Sequence, residues 1–232
     1  MQGRLLERDG ELAALDDLIA AAARGEGRLV LVEGAAGIGK SRLVAEARAH
    51  ARDAGFDVVA ARGRELEREF PYGVVRQLFE AVLRDELFAG AAASARAVFE
   101  PDAAGPSGDV SFATLHGLYW LALNLADDGP LLVAVDDLHW CDRPSLRFLA
   151  YLVHRLEGVA ILVVGALRPS EAGADAALLA ELAGDRLTTL LQPRPLSDEA
   201  VPALVSARLG ADADAAFVAA CATATGGNPL LL

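Results

Sequence analysis

The sequence predicts a three-layer α/β fold, in which helices cover both faces of a mostly parallel sheet of five strands. Strand-like apolar runs alternate with helix-periodic segments, which is typical of parallel α/β sheets. The runs are almost continuously apolar, as expected for strands that are buried on both faces. The five predicted strands are 28–34, 56–63, 131–137, 159–169 and 186–192.

Helix-periodic segments lie between these runs. Prolines at 71 and 101 bound the predicted helix 72–100, because proline fits the first turn of a helix and disrupts its interior. The loop that follows, 101–109, is rich in proline and glycine. The other predicted helices are 11–25, 40–55, 111–129, 144–158, 173–183 and two short ones after Ser197.

The pattern changes near residue 195, where strand–helix alternation gives way to short helices. We therefore expect a nucleotide-binding core over 1–195 and the beginning of a helical lid over 196–232. The sequence finishes on the apolar stretch NPLLL. An uncapped apolar end leads us to expect a fragment of a longer protein.

The acidic composition argues against nucleic acid as a direct partner of this chain. The formal net charge is −12, whereas phosphate backbones are bound by clustered positive charge. The arginines at 62, 64 and 68 form a local basic cluster with acidic residues among them. We interpret that cluster as a solvated face.

Cysteine usage indicates a reducing compartment, and the lengths of the apolar runs argue against a membrane span. Cys141 and Cys221 lie far apart and make no metal-ligand spacing, so we expect free thiols. The apolar runs are too short to cross a bilayer, and the charged N-terminus does not resemble a signal peptide. We expect a cytoplasmic protein without a membrane partner.

The stretch GAAGIGKS, from Gly34 to Ser41, fits the phosphate-binding pattern G-x-x-x-x-G-K-[ST] between a predicted strand and a helix. Glycines let successive N–H groups face one anion, and the helix N-terminus favours negative charge. Lys40 is the only lysine of the chain, which points to a chemical requirement that arginine does not meet. The bland alternative is a glycine-rich turn. The predicted nucleotide-binding residues here are Gly34, Ala35, Ala36, Gly37, Ile38, Gly39, Lys40, Ser41 and Arg42.

Two carboxylates follow the apolar run 131–135 and supply the expected second half of the site. Ligands of open α/β sheets collect at the carboxyl ends of strands. Asp136 would orient Mg²⁺, with Ser41 as its direct ligand, and Asp137 would polarise an attacking water. Alternatively, the pair only starts a turn.

Arg168 ends the fourth predicted strand. If that strand lies between the two motif strands, Arg168 would reach a γ-phosphate and stabilise its charge; otherwise it is a surface arginine before Pro169. We interpret His139 as structural, because no spacing supports another chemistry. Asp142 is expected to start the helix that enters through Pro144.

Four segments together resemble a known family. GAAGIGKS, VAVDDLHWCDRPSL, GALRP and TGGNPLLL, in this order, resemble the STAND class of AAA+-related P-loop ATPases, which have an ASCE-type sheet. The nearest resemblance is to the ATPase module of large ATP-binding LuxR-type transcriptional regulators.

The resemblance implies a role for several residues. Lys40 and Ser41 match the Walker A pair, Asp136 and Asp137 the Walker B pair, and Arg168 the sensor-1 arginine. Pro229 matches an element that closes over the nucleotide base. LLERDGE resembles an adenine-side motif but has Glu7 where glycine is usual, so Arg8 alone is carried over.

The resemblance also implies a function. ADP would hold a closed, inactive monomer, and ATP would permit self-association, with Mg²⁺ as cofactor and weak ATPase activity. DNA would be bound by a module outside these residues. Three alternatives stay open: a non-hydrolysing nucleotide-dependent scaffold, a P-loop kinase, and an accessory ATPase module of another signalling protein.

Overall fold

A computed structural model describes residues 5–100, 111–169, 171, 173–210 and 213–232. Its five strands are β1 (Arg28–Glu33), β2 (Asp57–Arg62), β3 (Leu131–Asp136), β4 (Ile161–Leu167) and β5 (Thr188–Leu191). The α-helices of the described residues are α1 (Asp9–Ala23), α2 (Lys40–Asp53), α3 (Gly73–Phe79), α4 (Arg96–Phe99), α5 (Phe112–Ala126), α6 (Arg143–Val153), α7 (Ala176–Gly184), α8 (Val201–Leu209) and α9 (Ala215–Thr225).

The strands form one parallel sheet in the order β2-β3-β4-β1-β5. The predicted fold class is therefore confirmed, including the five strands. β4 lies between β1 and β3, so the ends of the two motif-bearing strands flank the end of β4. In the β2–β3 pair, Arg62 is the register partner of Asp136. These strand ends place the candidate site at the carboxyl edge of the sheet.

Helices cover both faces of the sheet, and the strand side chains alternate between two hydrophobic clusters. In β1, Leu29 and Leu31 belong to the cluster shared with α3, α5, α6 and α7, whereas Val30 and Val32 belong to the cluster shared with α1 and α2. All four are at most 1% exposed. This two-sided burial explains why the strands read as continuous apolar runs.

The prediction of a single helix over 72–100 is wrong. The segment contains α3, α4 and 3-10 turns at Glu80–Val82, Asp85–Phe88 and Gly90–Ala95. Gly90 has a φ of +60°, which ends any helix there. A β-carbon on Gly117 of α5 would lie 2.5 Å from the Ser94 hydroxyl oxygen, so the turns pack closely against α5. That packing outweighs the helical propensity of the segment.

The C-terminal helices have a hydrophobic cluster of their own. Its buried members come from residues 196–218, and Leu6 from the N-terminal segment packs against them. The predicted loop 101–109 lies outside the described residues. Within the part of the chain that the structure describes, no helix has the length and apolar character that a membrane span requires.

Candidate functional site

The turn between β1 and α2 curls around the Lys40 side chain. Its ammonium group donates hydrogen bonds of 2.8 Å to the carbonyl oxygens of Gly34 and Ala35. Burial lowers the Lys40 pKa, and the positive charge of Arg168 lowers it further, while Asp136 and Asp137 oppose the shift. The structure thus brings the predicted lysine, arginine and carboxylates into one electrostatic environment.

Two glycines make the turn possible. Gly37 has a φ of +79° and Gly39 a φ of +106°, in the left-handed region that a β-carbon disfavours. Gly39 lies directly before α2, and no atom of the described residues lies within 4 Å of the position of a β-carbon there. The backbone at the start of α2 therefore borders open space.

These residues fit a nucleotide phosphate chain with a divalent cation. A helix N-terminus leaves its first N–H groups without intrahelical acceptors, and glycines keep the approach to them free of side chains. Lys40 adds an ammonium group, and Ser41, in the first turn of α2, adds an exposed hydroxyl. Asp136 supplies a hard oxygen of the kind that Mg²⁺ prefers.

The chain turns sharply after β3, at the two predicted carboxylates. Asp137 has φ +52° and ψ +49°, and its N–H donates to Oδ1 of Asp136 at 3.0 Å. A residue with a β-carbon in this conformation is strained, although aspartate tolerates it better than most. A β-carbon on Gly63 would lie 2.4 Å from the Asp137 carbonyl oxygen. Only glycine therefore fits at position 63, directly after β2.

Arg62, at the end of β2, holds the Asp137 carboxylate. Its Nε and Nη2 donate to Oδ2 of Asp137 at 2.9 and 2.7 Å. The bond to Asp137 raises the pKa of Arg62. The interpretation of Arg62 as part of a solvated face missed this pair. An arginine at the end of the strand beside the carboxylates was the only sequence signal, and it requires the β2–β3 register.

His139 lies buried between Asp137 and Arg168. Its Nδ1 accepts from the Arg168 N–H at 3.3 Å, and its Nε2 lies 3.8 Å from Oδ1 of Asp137, with no hydrogen-bond partner among the described residues. Burial lowers the His139 pKa, and the charges of Arg168 and Lys40 add to that effect. We infer a neutral ring with its proton on Nε2, facing Asp137.

Arg168 follows β4 as predicted from its position, between the two motif strands. Its side chain is 38% exposed and its Nη1 lies 3.4 Å from Glu171 Oε2. Because its backbone N–H bonds to His139, a hydrogen bond connects the end of β4 with the turn after β3. A contact between its guanidinium and phosphate stays a prediction.

Asp142 and Ser145 lie in the second half of the segment DDLHWCDRPS, residues 136–145, and both bind backbone N–H groups of neighbouring elements. Asp142 caps α6 by accepting from the Ser145 N–H, and it also accepts from the N–H groups of Tyr72 and Val74 at 2.8 and 3.1 Å. The Ser145 hydroxyl accepts from the Val75 N–H at 3.1 Å. The expectation that Asp142 starts α6 is confirmed. Sequence reasoning missed that the same residues fix the start of α3.

The N-terminal segment contacts the turn between β1 and α2, residues 34–39, which we call the phosphate loop. Arg8 is 3% exposed and its Nη2 donates to the carbonyl oxygens of Ile38, at 3.2 Å, and Arg194, at 2.6 Å. Arg8 therefore positions the loop. Direct contact between Arg8 and a nucleotide stays a prediction.

The C-terminal segment also contacts the phosphate loop. Asn228 Nδ2 donates to the Ala36 carbonyl at 2.9 Å, and a β-carbon on Gly37 would lie 2.6 Å from Asn228 Oδ1 and from Leu230 Cβ. Pro229 thus lies between two residues that contact the phosphate loop. Its role over the nucleotide base stays a prediction.

The sheet order and the turn around Lys40 define a P-loop ATPase of the AAA+ type. A family model for the AAA ATPase domain matches residues 4–164. The chain therefore belongs to the AAA ATPase domain family, which is a family of nucleotide-binding proteins.

Solved structures share the fold. The Aeropyrum pernix ORC2 protein, solved in ADPNP–ADP complexes, has a TM-score of 0.59 and 16% identity, covering 98% of this chain and 60% of that chain. The Aeropyrum pernix ORC1 protein, solved in complex with DNA, has a TM-score of 0.55 and 19% identity, covering 98% and 58%. At these identities the likeness shows the fold alone.

One curated relative is similar in sequence. The uncharacterized protein R02095 of Rhizobium meliloti (strain 1021) is 30% identical, and the match covers 74% of this chain and 19% of that protein. The matched region thus corresponds to about a fifth of the relative's length.

Proposed function

We propose that this chain is an ATP-binding, slowly hydrolysing switch module. The observation that carries the proposal is the loop around Lys40, with Asp136 and Asp137 close enough to shift the Lys40 pKa. Lys40 and the N–H groups of residues 34–41 would hold the phosphates, and Ser41 and Asp136 would hold Mg²⁺. Bound Mg²⁺ would neutralise charge that builds up on the transferred phosphoryl group.

In this proposal Asp137 accepts a proton from the attacking water. Arg168 stabilises charge on the outer phosphate, and the neutral ring of His139 packs beside the other oxygen of Asp137 at 3.8 Å. Slow turnover follows from the contacts of Asp137, because Oδ2 is held by Arg62 and aspartate reaches less far than glutamate.

The regulatory part of the proposal rests on the resemblance to STAND-class LuxR-type regulators. We propose that residues 1–195 form the nucleotide-binding core and that 196–232 begin a lid over the phosphate loop. Bound ADP would keep the module closed, and ATP would permit self-association. The contact of Asn228 with Ala36 supports a lid, because it connects the C-terminal segment directly to the loop.

We further propose a cytoplasmic location without direct nucleic-acid binding by this chain. Both cysteines are free thiols, as is usual in reducing compartments. The net charge of −12 opposes the binding of phosphate backbones. DNA binding by the Aeropyrum pernix ORC1 protein is a property of that protein.

The test is phosphate release from Mg²⁺-ATP by the wild-type chain and by Asp137→Asn. Asparagine keeps the shape of Asp137 and removes its basic oxygen, so we expect turnover to fall by about 100-fold or more while ATP affinity stays within about twofold. Asp198→Asn, at an exposed carboxylate in the C-terminal segment, serves as the control. Equal turnover in wild type and Asp137→Asn would contradict the proposed base.

The contacts of Asp137 also favour a second candidate, a nucleotide-dependent scaffold that does not hydrolyse ATP. In that case Arg62 would hold Asp137 in every state. Wild type would then bind Mg²⁺-ATP and release no phosphate above the level of Asp137→Asn. Measurable turnover that disappears in Asp137→Asn would exclude the scaffold.

A further inference from the structure

Glu7 has a backbone conformation that glycine adopts more easily. Its φ is +52°, which makes it one of three non-glycine residues with positive φ in the described part of the chain. A β-carbon is disfavoured there, so the side chain has a steric cost that glycine would avoid. The presence of glutamate at such a position points to a use for its carboxylate.

The Glu7 carboxylate binds a single residue with both of its oxygens. Oε2 accepts from the Ser197 N–H at 2.8 Å, and Oε1 accepts from the Ser197 hydroxyl. Both bonds lower the Glu7 pKa, so the carboxylate is charged at neutral pH. Ser197 follows Leu196, the first buried residue of the C-terminal cluster, and precedes α8. Glu7 therefore binds the N-terminal end, or root, of the segment 196–232, which we call the lid.

The neighbouring Arg8 reaches the other side of the same junction. It donates to Ile38 in the phosphate loop and to Arg194, three residues before Ser197. Two adjacent residues thus connect the phosphate loop with the connection to the lid. Because Arg8 is buried and Glu7 is exposed, water can replace the Glu7 contacts more easily than the Arg8 contacts.

The far end of the lid also meets the phosphate loop. Asn228 bonds to Ala36, and the Gly227 carbonyl accepts from the Leu196 N–H at 2.8 Å. The root and the end of the lid are therefore joined to each other. Complete separation of the lid from the N-terminal segment and the loop would break the Glu7–Ser197 bonds, the Asn228 contact and the packing of Leu6 against the lid.

We propose that Glu7 is a latch that keeps the lid on the phosphate loop and thereby sets how fast a bound nucleotide leaves. The part that concerns nucleotide release rests on the proposed function, whereas the latch contact itself does not. A glycine at position 7 would relieve the backbone strain and remove both bonds.

The contact is tested first without nucleotide, by amide hydrogen exchange in wild type, Glu7→Gly and Ser197→Ala. Lid amides in residues 197–209 should exchange about fivefold faster in Glu7→Gly, which loses both bonds, and about twofold faster in Ser197→Ala, which loses only the hydroxyl bond. Amides of β1 and β4 should be unchanged, which also shows that the variants are folded. Asp198→Asn, which removes the adjacent carboxylate, should exchange like wild type.

The double variant Glu7→Gly/Ser197→Ala separates a shared contact from two independent effects. If the residues act on each other, the double variant exchanges no faster than Glu7→Gly, because Ser197→Ala removes only the hydroxyl bond and Glu7→Gly already removes both bonds. Lid exchange equal to wild type in both single variants, or fully additive effects, would overturn the latch.

Nucleotide retention is tested by the dissociation rate of a fluorescent N-methylanthraniloyl-ADP in the same variants. The latch predicts release about fivefold faster in Glu7→Gly, a smaller increase in Ser197→Ala, and release from the double variant no faster than from Glu7→Gly. Faster lid exchange with unchanged release would overturn the retention role alone. If wild type does not bind the probe at all, the proposed function fails as well, and the exchange data still decide the contact.

Discussion

At the scale of single residues, Asp137 has the most constrained position in the site. It has a positive φ, its carboxylate is held by Arg62, and His139 lies against its buried side. A strained residue at a cleft is maintained only when the surroundings over-determine it. These contacts restrain Asp137 in the role of base that we propose for it.

Removal of the Arg62 guanidinium should increase turnover. In Arg62→Gln, Oδ2 of Asp137 loses its two charge-assisted hydrogen bonds and becomes free to accept a hydrogen bond from the attacking water. We expect the ATPase rate to rise about tenfold with little change in ATP affinity, as measured by steady-state phosphate release.

The control is Arg64→Gln, because the Arg64 guanidinium pairs with Glu67 at 3.0 Å, whereas that of Arg62 pairs with Asp137. It should hydrolyse ATP like wild type. A rate in Arg62→Gln that equals or falls below that of wild type would show that the pair does not restrain Asp137.

At the scale of elements, the turn after β3 organises its neighbours through Asp142. This 2% exposed carboxylate accepts backbone N–H groups from both α6 and the start of α3. Such a connection keeps the end of β2, and with it Arg62, beside Asp137. The segment 136–145 therefore has a structural role in addition to the catalytic role that we propose for it.

Replacement of Asp142 should cost more than the loss of an ordinary helix cap. Asp142→Ala leaves three backbone donors without their acceptor, so we expect the free energy of unfolding in urea to fall by about 2–4 kcal/mol. Asp175→Ala removes the cap of α7, which accepts only the Leu178 N–H among the backbone donors of the described residues. Its cost should be about 1 kcal/mol. Equal losses in the two variants would contradict the anchoring role.

At the scale of the whole molecule, local patterns predicted the fold, and contacts distant in sequence explain what was missed. The three central strands β1, β3 and β4 were predictable because burial on both faces makes each one an apolar run. The phosphate loop was predictable because its glycines, lysine and serine are consecutive. The Arg62–Asp137 pair was not, because it depends on the β2–β3 register across 75 residues. The prediction of a helix over 72–100 was wrong because packing against α5 decides the conformation of that segment.

The burial pattern predicts a difference between the two thiols. Cys141 is 4% exposed and burial raises its pKa well above the usual value, whereas Cys221 is partly exposed. Thiolate is the reactive form, so iodoacetamide should label Cys221 in the folded protein and both cysteines after denaturation. Mass spectrometry of the labelled peptides checks this. Labelling of Cys141 at the rate of Cys221 under native conditions would contradict the packing around the turn after β3.

The most direct test of the central claim is to denature the purified chain and identify any nucleotide that it releases by ion-exchange chromatography, with Lys40→Ala in parallel. A closed switch that hydrolyses ATP and retains the product predicts near-stoichiometric ADP from wild type and none from Lys40→Ala. Absence of nucleotide from wild type, together with no binding of added Mg²⁺-ATP, would contradict the assignment of residues 34–41 as a phosphate-binding loop.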